Sequence, residues 1–150
     1  MNWIYKPDTG IQLDENEKIR IRFGDSREEL RSRLNYQKPR ITRFENEDSY
    51  ENILGSGDWI RLSFQENQLD EIEILIGKIT IGKISIAVDE DLDLSLAKFR
   101  DEGFGIKEGD MSYVIPELKL DIGDSGKNGG EDNKICWLFM TRDVEYLMNE

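Results

Sequence analysis

Lys18-Ile19-Arg20-Ile21-Arg22-Phe23-Gly24-Asp25-Ser26-Arg27-Glu28-Glu29-Leu30-Arg31-Ser32-Arg33-Leu34 reads as a strand, a turn and a helix in succession. Strict alternation over 18–23 places Ile19, Ile21 and Phe23 on one face and Arg20 and Arg22 on the other, the two-residue period of a strand with one buried face. Gly24-Asp25 breaks it. Ser26 and Glu29 then stand at capping-box spacing, the hydroxyl able to take an orphan amide of the first turn. Leu30 and Leu34 fall one turn apart on one helix face. A helix over about 26–35 is expected.

Further along, Trp59-Ile60-Arg61-Leu62-Ser63-Phe64 alternates again, with Ile60, Leu62 and Phe64 inward. Gln65-Glu66-Asn67-Gln68 reads as a hairpin turn, and Leu69 to Ile76 as the returning strand, with Ile72, Ile74 and Ile76 on one side. Between these units, Ile41 and Phe44 suggest a short strand, and Gly55-Ser56-Gly57 a turn. Ile79, Ile81, Ile84, Ile86 and Val88 give two more strands broken at Gly82. Leu92, Leu96 and Phe99 mark a second helix that Gly103 ends. Strands are expected at about 111–115 and 117–122, a mobile Gly-rich loop over 124–133, a last strand over 135–141 and a short terminal helix over 143–148.

Lys83-Ile84-Ser85-Ile86 opens the same element order as Lys18-Ile19-Arg20-Ile21, 65 residues later. Both stretches read β-α-β-β, which predicts an internal structural repeat. The expected class is α+β, a mainly antiparallel sheet with two helices on one face, in a single domain spanning 1–150.

The charge is unevenly distributed. Residues 18–43 hold nine basic groups (Lys18, Arg20, Arg22, Arg27, Arg31, Arg33, Lys38, Arg40, Arg43) against Asp25, Glu28 and Glu29, a net +6. Against a whole-chain charge of −12, the rest carries −18. Acids gather in three runs: Glu45, Glu47, Asp48 and Glu51; Glu66, Asp70, Glu71 and Glu73; Asp89, Glu90, Asp91 and Asp93. Each run alone could be a solvated face or a helix start. Together they exceed what solubility requires, and they favour a cationic partner over nucleic acid or an anionic membrane. The early arginines are expected to pair with acids inside the molecule. Trp59 shares its strand face with Arg61 and Ser63, and is either an exposed interface anchor or, if helices cover that face, core.

Chemistry is sparse. There is no histidine, so Ser–His and Cys–His nucleophile pairs are ruled out. The lone Cys136 sits in an apolar run and reads as a small hydrophobe. Asp89-x-Asp91-x-Asp93 begins like a calcium loop, but Leu94 and Arg100 stand where glycine and glutamate are needed. The glycines of 123–130 fit no phosphate-binding fingerprint. No enzyme, metal or cofactor is expected. No signal peptide and no membrane span is legible, which predicts a cytoplasmic protein.

The order Phe23-Gly24-Asp25-Ser26-Arg27-Glu28-Glu29-Leu30-Arg31-x-x-Leu34, followed by hairpins, resembles the repeat of β-lactamase-inhibitor-like domains. It is also similar to small acidic immunity proteins of bacterial toxin systems, contact-dependent growth inhibition among them. The resemblance covers about twelve residues and the element order, and transfers no functional residue. It implies an immunity-type inhibitor that binds a basic toxin domain, with a nuclease as one candidate, through an acidic surface. Asp89, Glu90, Asp91, Asp93, Asp70, Glu71, Glu73 and Trp59 are the expected partner-binding residues. The alternative from another class is a self-associating scaffold whose basic 18–43 segment docks the acidic surface of a like molecule.

Overall fold

The computed structural model describes residues 2–13, 19–39 and 43–148, leaving out the side chains of residues 144 and 146. The fold is α+β and mostly antiparallel. In chain order the described residues form β1 (Trp3–Lys6), β2 (Gly10–Leu13), β3 (Arg20–Arg22), α1 (Arg27–Arg33), β4 (Glu47–Glu51), β5 (Trp59–Gln65), β6 (Gln68–Ile76), β7 (Lys78–Ile81), β8 (Ile84–Ala87), α2 (Leu92–Asp101), β9 (Lys107–Glu108), β10 (Ser112–Ile115), β11 (Leu120–Asp124), β12 (Ile135–Thr141) and α3 (Val144–Met148). Lys18 and Ile41 lie outside the described residues. The strand expected near Phe44 begins at Glu47, and Phe44 itself is exposed.

The strands divide between two sheets where one was expected. One runs β3-β2-β1-β7-β8 and the other β4-β5-β6-β12-β11-β10-β9. Among the described strands only β1 and β7 pair in parallel. The inner faces bury one common core, with Trp3, Tyr5, Ile21, Ile79 and Ile86 from the five-stranded sheet. Ile60, Leu62, Ile72, Ile74, Leu138 and Met140 come from the seven-stranded sheet, Leu30 and Leu34 from α1, and Leu92, Leu96 and Phe99 from α2. The β1–β2 hairpin is held by Gly10 (φ 133), where an added Cβ would sit 2.1 Å from the Ile21 carbonyl oxygen. Only glycine lets β2 and β3 approach this closely.

The 65-residue spacing is a structural repeat. Ser26 caps α1 by accepting from the Glu29 amide, and Asp91 caps α2 by accepting from the Leu94 amide. Arg27 N donates to Asn67 O as Leu92 N donates to Asn133 O. Leu69 N donates to Asp25 O as Ile135 N donates to Glu90 O. Asn67 (φ 63) and Asn133 (φ 58) both adopt the left-handed region just before β6 and β12. These two strands pair antiparallel, Ile74 with Leu138 and Ile72 with Met140. That register exchanges the two halves and puts the pair Glu73–Phe139 on a pseudo-twofold axis.

The halves fill equivalent positions with different chemistry. In the first, Asp48 (0% exposed) lies on the inner face under α1. It accepts from Arg27 Nη2 at 2.7 Å and from Arg31 Nε at 2.8 Å and Nη2 at 2.7 Å. The equivalents in the second half are Tyr113 for Asp48, through the β10–β11 and β11–β12 registers, and Leu92 and Leu96 for the two arginines. Leu92 and Leu96 are buried and Tyr113 half-buried. An ionic plug in one half thus stands where the other has apolar packing. Buried ion pairs are often replaceable by apolar groups, whereas removing one partner strands a charge. Asp48→Ala should therefore cost about 3–5 kcal/mol in chemical denaturation. The triple variant Arg27→Leu, Arg31→Leu, Asp48→Tyr should come within about 1 kcal/mol of wild type. A triple variant as unstable as Asp48→Ala would show that the two packings are not interchangeable.

Candidate interaction surface

The outer face of the seven-stranded sheet carries the residues left over by the inward alternation. β4 contributes Glu47, Ser49 and Glu51; β5 contributes Trp59, Arg61 and Ser63; β6 contributes Glu71 and Glu73; β12 contributes Trp137, Phe139 and Thr141. α3 closes one end of this face. Its Leu147 is buried, as is the outward Val114 of β10, both apart from the main core. Lys107 Nζ donates to Met148 O at 2.7 Å. The half built from β4, β5, β6 and the start of β12 stays open.

Two bulges decide what is displayed there. β5 and β6 slip register between Ser63 and Phe64, which returns Leu69 to the core beside Ile72 and Ile74. A second slip between Trp59 and Ile60 sets Ile76 opposite Trp59 on the outer face. Ile76, expected inward, is 50% exposed for this reason. Trp59 is half-buried, donates its indole N–H to Ser49 Oγ at 2.8 Å, and lies 4.7 Å under the Arg61 guanidinium. Trp137 rests on Gly123, where an added Cβ would come within 2.3 Å of the ring. Trp59, Ile76, Leu75, Trp137 and Phe139 make a partly exposed apolar stripe.

Carboxylates border the stripe. Glu47 takes Arg43 at 2.6 Å and Arg61 at 3.7 Å, and Arg61 reaches Glu73 at 3.2 Å. Glu71 has no cation within ion-pair distance among the described residues. Burial pushes its carboxyl up to about 6, and the negative charges of Asp70, Glu73 and Glu47 add to the effect. At the rim, Glu51, Asn52, Gly57, Asp58, Trp59 and Ile76 line an open crevice of about 250 Å³. Asp58 is 3% exposed; its Oδ1 accepts from Leu54 N at 2.9 Å, while Oδ2 has no hydrogen-bond partner among the described residues.

The expected partner-binding residues separate into two groups. Trp59, Glu71 and Glu73 share this face, with Asp70 at its edge, 4.0 Å from Arg142. Asp89, Glu90, Asp91 and Asp93 lie at the other end of the strands. Asp89 N and Glu90 O bond to Ile135 at the start of β12, whereas Asp70 sits at the start of the antiparallel β6. Asp70 and Asp89 are about 20 Å apart along the sheet, at roughly 3.3 Å per residue, whereas Trp59 pairs with Ile76 at the end where Val88 N donates to Gly77 O. Asp91 is committed to capping α2 and accepts from Asn133 Nδ2 at 2.9 Å, while Asp89 and Asp93 are exposed. The acidic run at 45–51, expected as a solvated face, is internal at its centre. Glu47 and Asp48 belong to buried ion pairs with arginines of the basic segment, so this run is not a solvated patch. Burial alone would raise the Asp48 pKa, but the hydrogen bonds from Arg31 and Arg27 outweigh it and hold the carboxyl below its ordinary value.

Trp137, Phe139 and Ile76 were not foreseen as surface residues. Residues 124–133, expected to be mobile, are pinned: Ser125 N donates to Lys134 O, Gly130 N to Ser125 O, and Asn128 Nδ2 to Met111 O at 2.9 Å and Asp124 O at 2.7 Å. Cys136 is half-buried, and burial pushes its thiol up to about 11, away from the thiolate that nucleophilic chemistry needs. No group of His, Cys, Asp and Glu among the described residues is arranged to hold a metal ion. No described helix is long and apolar enough to cross a membrane.

No family model, curated protein or solved structure matches this chain.

Glu71 gives that surface a pH signature. Its folded pKa of about 6 exceeds the ordinary 4.5, so the native state holds the proton more tightly than the unfolded chain. The stabilising effect of that protonation is full below about 4.5 and is lost as pH rises through about 6. Glu71→Gln should match wild type near pH 4.5 and exceed it by about 1 kcal/mol at pH 7, after allowing for solvent screening of a half-buried group. Urea denaturation at both pH values checks this. A constant difference between the two proteins would contradict it.

Proposed function

We propose that this chain is an immunity-type protein that binds and neutralises a basic toxin domain, and that its contact surface is the open outer face of the seven-stranded sheet. The observation that carries the reading is the acid-lined crevice beside Trp59. Interfaces concentrate their energy in buried aromatic and arginine anchors, with polar groups around them. Here Trp59, Trp137, Phe139 and Ile76 supply the apolar centre, and Glu51, Asp58, Glu71 and Glu73 the acidic surround.

A lysine or arginine from the partner entering the crevice would meet the Glu51 carboxylate and the edge of the Trp59 ring, with the buried Asp58 carboxylate behind them adding negative potential. The acids of 89–93 begin at the same end of the sheet, where Val88 N donates to Gly77 O next to Ile76. They would act through the long-range field, which raises association rates more than affinity.

The test is binding between the full chain and the product of the adjacent reading frame, measured by calorimetry at 50 and 500 mM salt. We expect affinity to fall at least tenfold over that range. Trp59→Ala should weaken binding by about thirtyfold, the equivalent of a ~2 kcal/mol hot spot, with folding checked by circular dichroism. Complex formation indifferent to both salt and Trp59 would refute the surface assignment. Salt-sensitive self-association of the pure protein would support the scaffold alternative instead.

A further inference from the structure

The outer face of the five-stranded sheet has the opposite character. Pairing in that sheet places Arg20 and Arg22 (β3), Gly10 and Gln12 (β2), Ile4 and Lys6 (β1), Lys78 and Thr80 (β7), and Ser85 and Ala87 (β8) on the side away from the core. These strand positions hold four cations and not one carboxylate, on a chain of net charge −12. Arg20, Arg22, Lys6 and Lys78 are all exposed, with no acid within ion-pair distance among the described residues. At the described turns beside Lys6 and Arg22, Asp8 is held by Lys119 and Asp25 by Arg33.

Three of the cations gather at one corner. Arg22 and Lys6 stand in one row on either side of Gly10, and Arg20 is two residues along β3. Strands about 4.8 Å apart put Arg22 and Lys6 roughly 10 Å from each other. Gly10 has no side chain to fill the space between them. The result is a shallow trough lined by Ile4, Lys6, Thr9, Gln12, Arg20 and Arg22. The other described arginines of the basic segment are differently occupied: Arg27 and Arg31 hold Asp48, Arg33 holds Asp25, and Arg43 holds Glu47.

We infer that this face docks a short acidic polypeptide segment of a partner protein, with carboxylates seated between Arg20, Arg22 and Lys6. Planar guanidinium forks match carboxylates in pairs. Three features favour this occupant over others. The face has no aromatic side chain, so it offers single-stranded nucleic acid no stacking platform. A duplex would run beyond the corner onto a strongly acidic molecule, whereas a short peptide is confined to it. A second copy presenting the same face would bring cation against cation. The face, about 13 Å by 20 Å from the strand dimensions, is also too small for a stable dimer, which needs roughly 800 Å² per partner.

The experiment is fluorescence anisotropy of the full chain with a labelled octaglutamate peptide at 50 mM salt, with labelled oligo-dT of eight residues as the comparison. We expect saturable binding of the peptide, weakened roughly tenfold or more by the double charge reversal Arg20→Glu, Arg22→Glu and unchanged by Trp59→Ala. A second variant, Lys6→Glu, keeps the test valid if the double variant fails to fold, and should weaken binding severalfold. No saturable peptide binding overturns the inference. Tighter binding of the oligonucleotide overturns it in favour of nucleic acid. Salt-sensitive sedimentation as a dimer, abolished by Lys6→Glu, overturns it in favour of self-docking. Loss of binding in Trp59→Ala would move the site to the other sheet, whereas a failed toxin interaction leaves this result intact.

Discussion

The antiparallel pairing of β6 and β12 joins the two halves of the chain and orients every other surface. Its register puts Glu73 opposite Phe139, on the pseudo-twofold axis, and continues each half outward as a three-strand run, β6-β5-β4 on one side and β12-β11-β10 on the other. Each run ends under its own helix, and the residue before each helix cap is tied to the start of β6 or β12 through the Leu69 and Ile135 hydrogen bonds. Because side chains alternate, a slip of one residue here would send Ile72, Ile74, Leu138 and Met140 to solvent and bury Glu73. The apolar inner face and the mixed outer face are thus fixed by the same register. Neither can be changed alone.

Within that symmetric frame the halves have diverged in charge. The helix-to-sheet contact is ionic in the first half and apolar in the second. On the outer face, Glu71 and Glu73 correspond to Trp137 and Phe139, and Arg61 to Asp121. Acidic groups of one half are therefore carried into contact with aromatic groups of the other across the central pair. A surface with both an apolar centre and a charged surround arises here from two unlike halves meeting at the axis. No single stretch of chain supplies it.

That origin explains what could be read from the sequence and what could not. The β3–α1 unit, the Glu66–Asn67 turn, the break at Gly82 and the 65-residue spacing are local patterns, and each signal lies within a few residues. β1 and β2 left a signal that went unread: Trp3-x-Tyr5 and Ile11-x-Leu13 alternate around Pro7-Asp8-Thr9-Gly10, a turn by composition. β4 left almost none, because Glu47-Asp48-Ser49-Tyr50-Glu51 looks solvated until Arg27, Arg31, Arg43 and Arg61 are placed against it. Those partners come from the preceding helix, the neighbouring connector and the next strand. Glu71 and Glu73 were legible as outward residues because Ile72, Ile74 and Ile76 mark the other parity, and Trp59 was legible as sharing a face with Arg61 and Ser63, though whether that face is covered was not. Trp137 and Phe139 were not, because Ile135-Cys136-Trp137-Leu138-Phe139-Met140 is apolar at every position and carries no parity. Ile76 needed the bulge, which the alternation alone does not reveal.

The early arginines therefore do two things, divided by which way they point. Arg27 and Arg31 on α1 and Arg43 in the connector before β4 neutralise Asp48 and Glu47 of the seven-stranded sheet, and so reduce the acidic surplus there without abolishing it. Those on β3 point out from the five-stranded sheet and keep their charge. The two outer faces are separated by two layers of strands about 10 Å apart, plus their outward side chains. That exceeds the screening length of about 8 Å at physiological salt. A partner approaching one face is then largely insulated from the charge of the other. The net −12 describes neither face, and a molecule this acidic can present a cationic trough at one side while the acids beside Trp59 set the potential at the opposite one.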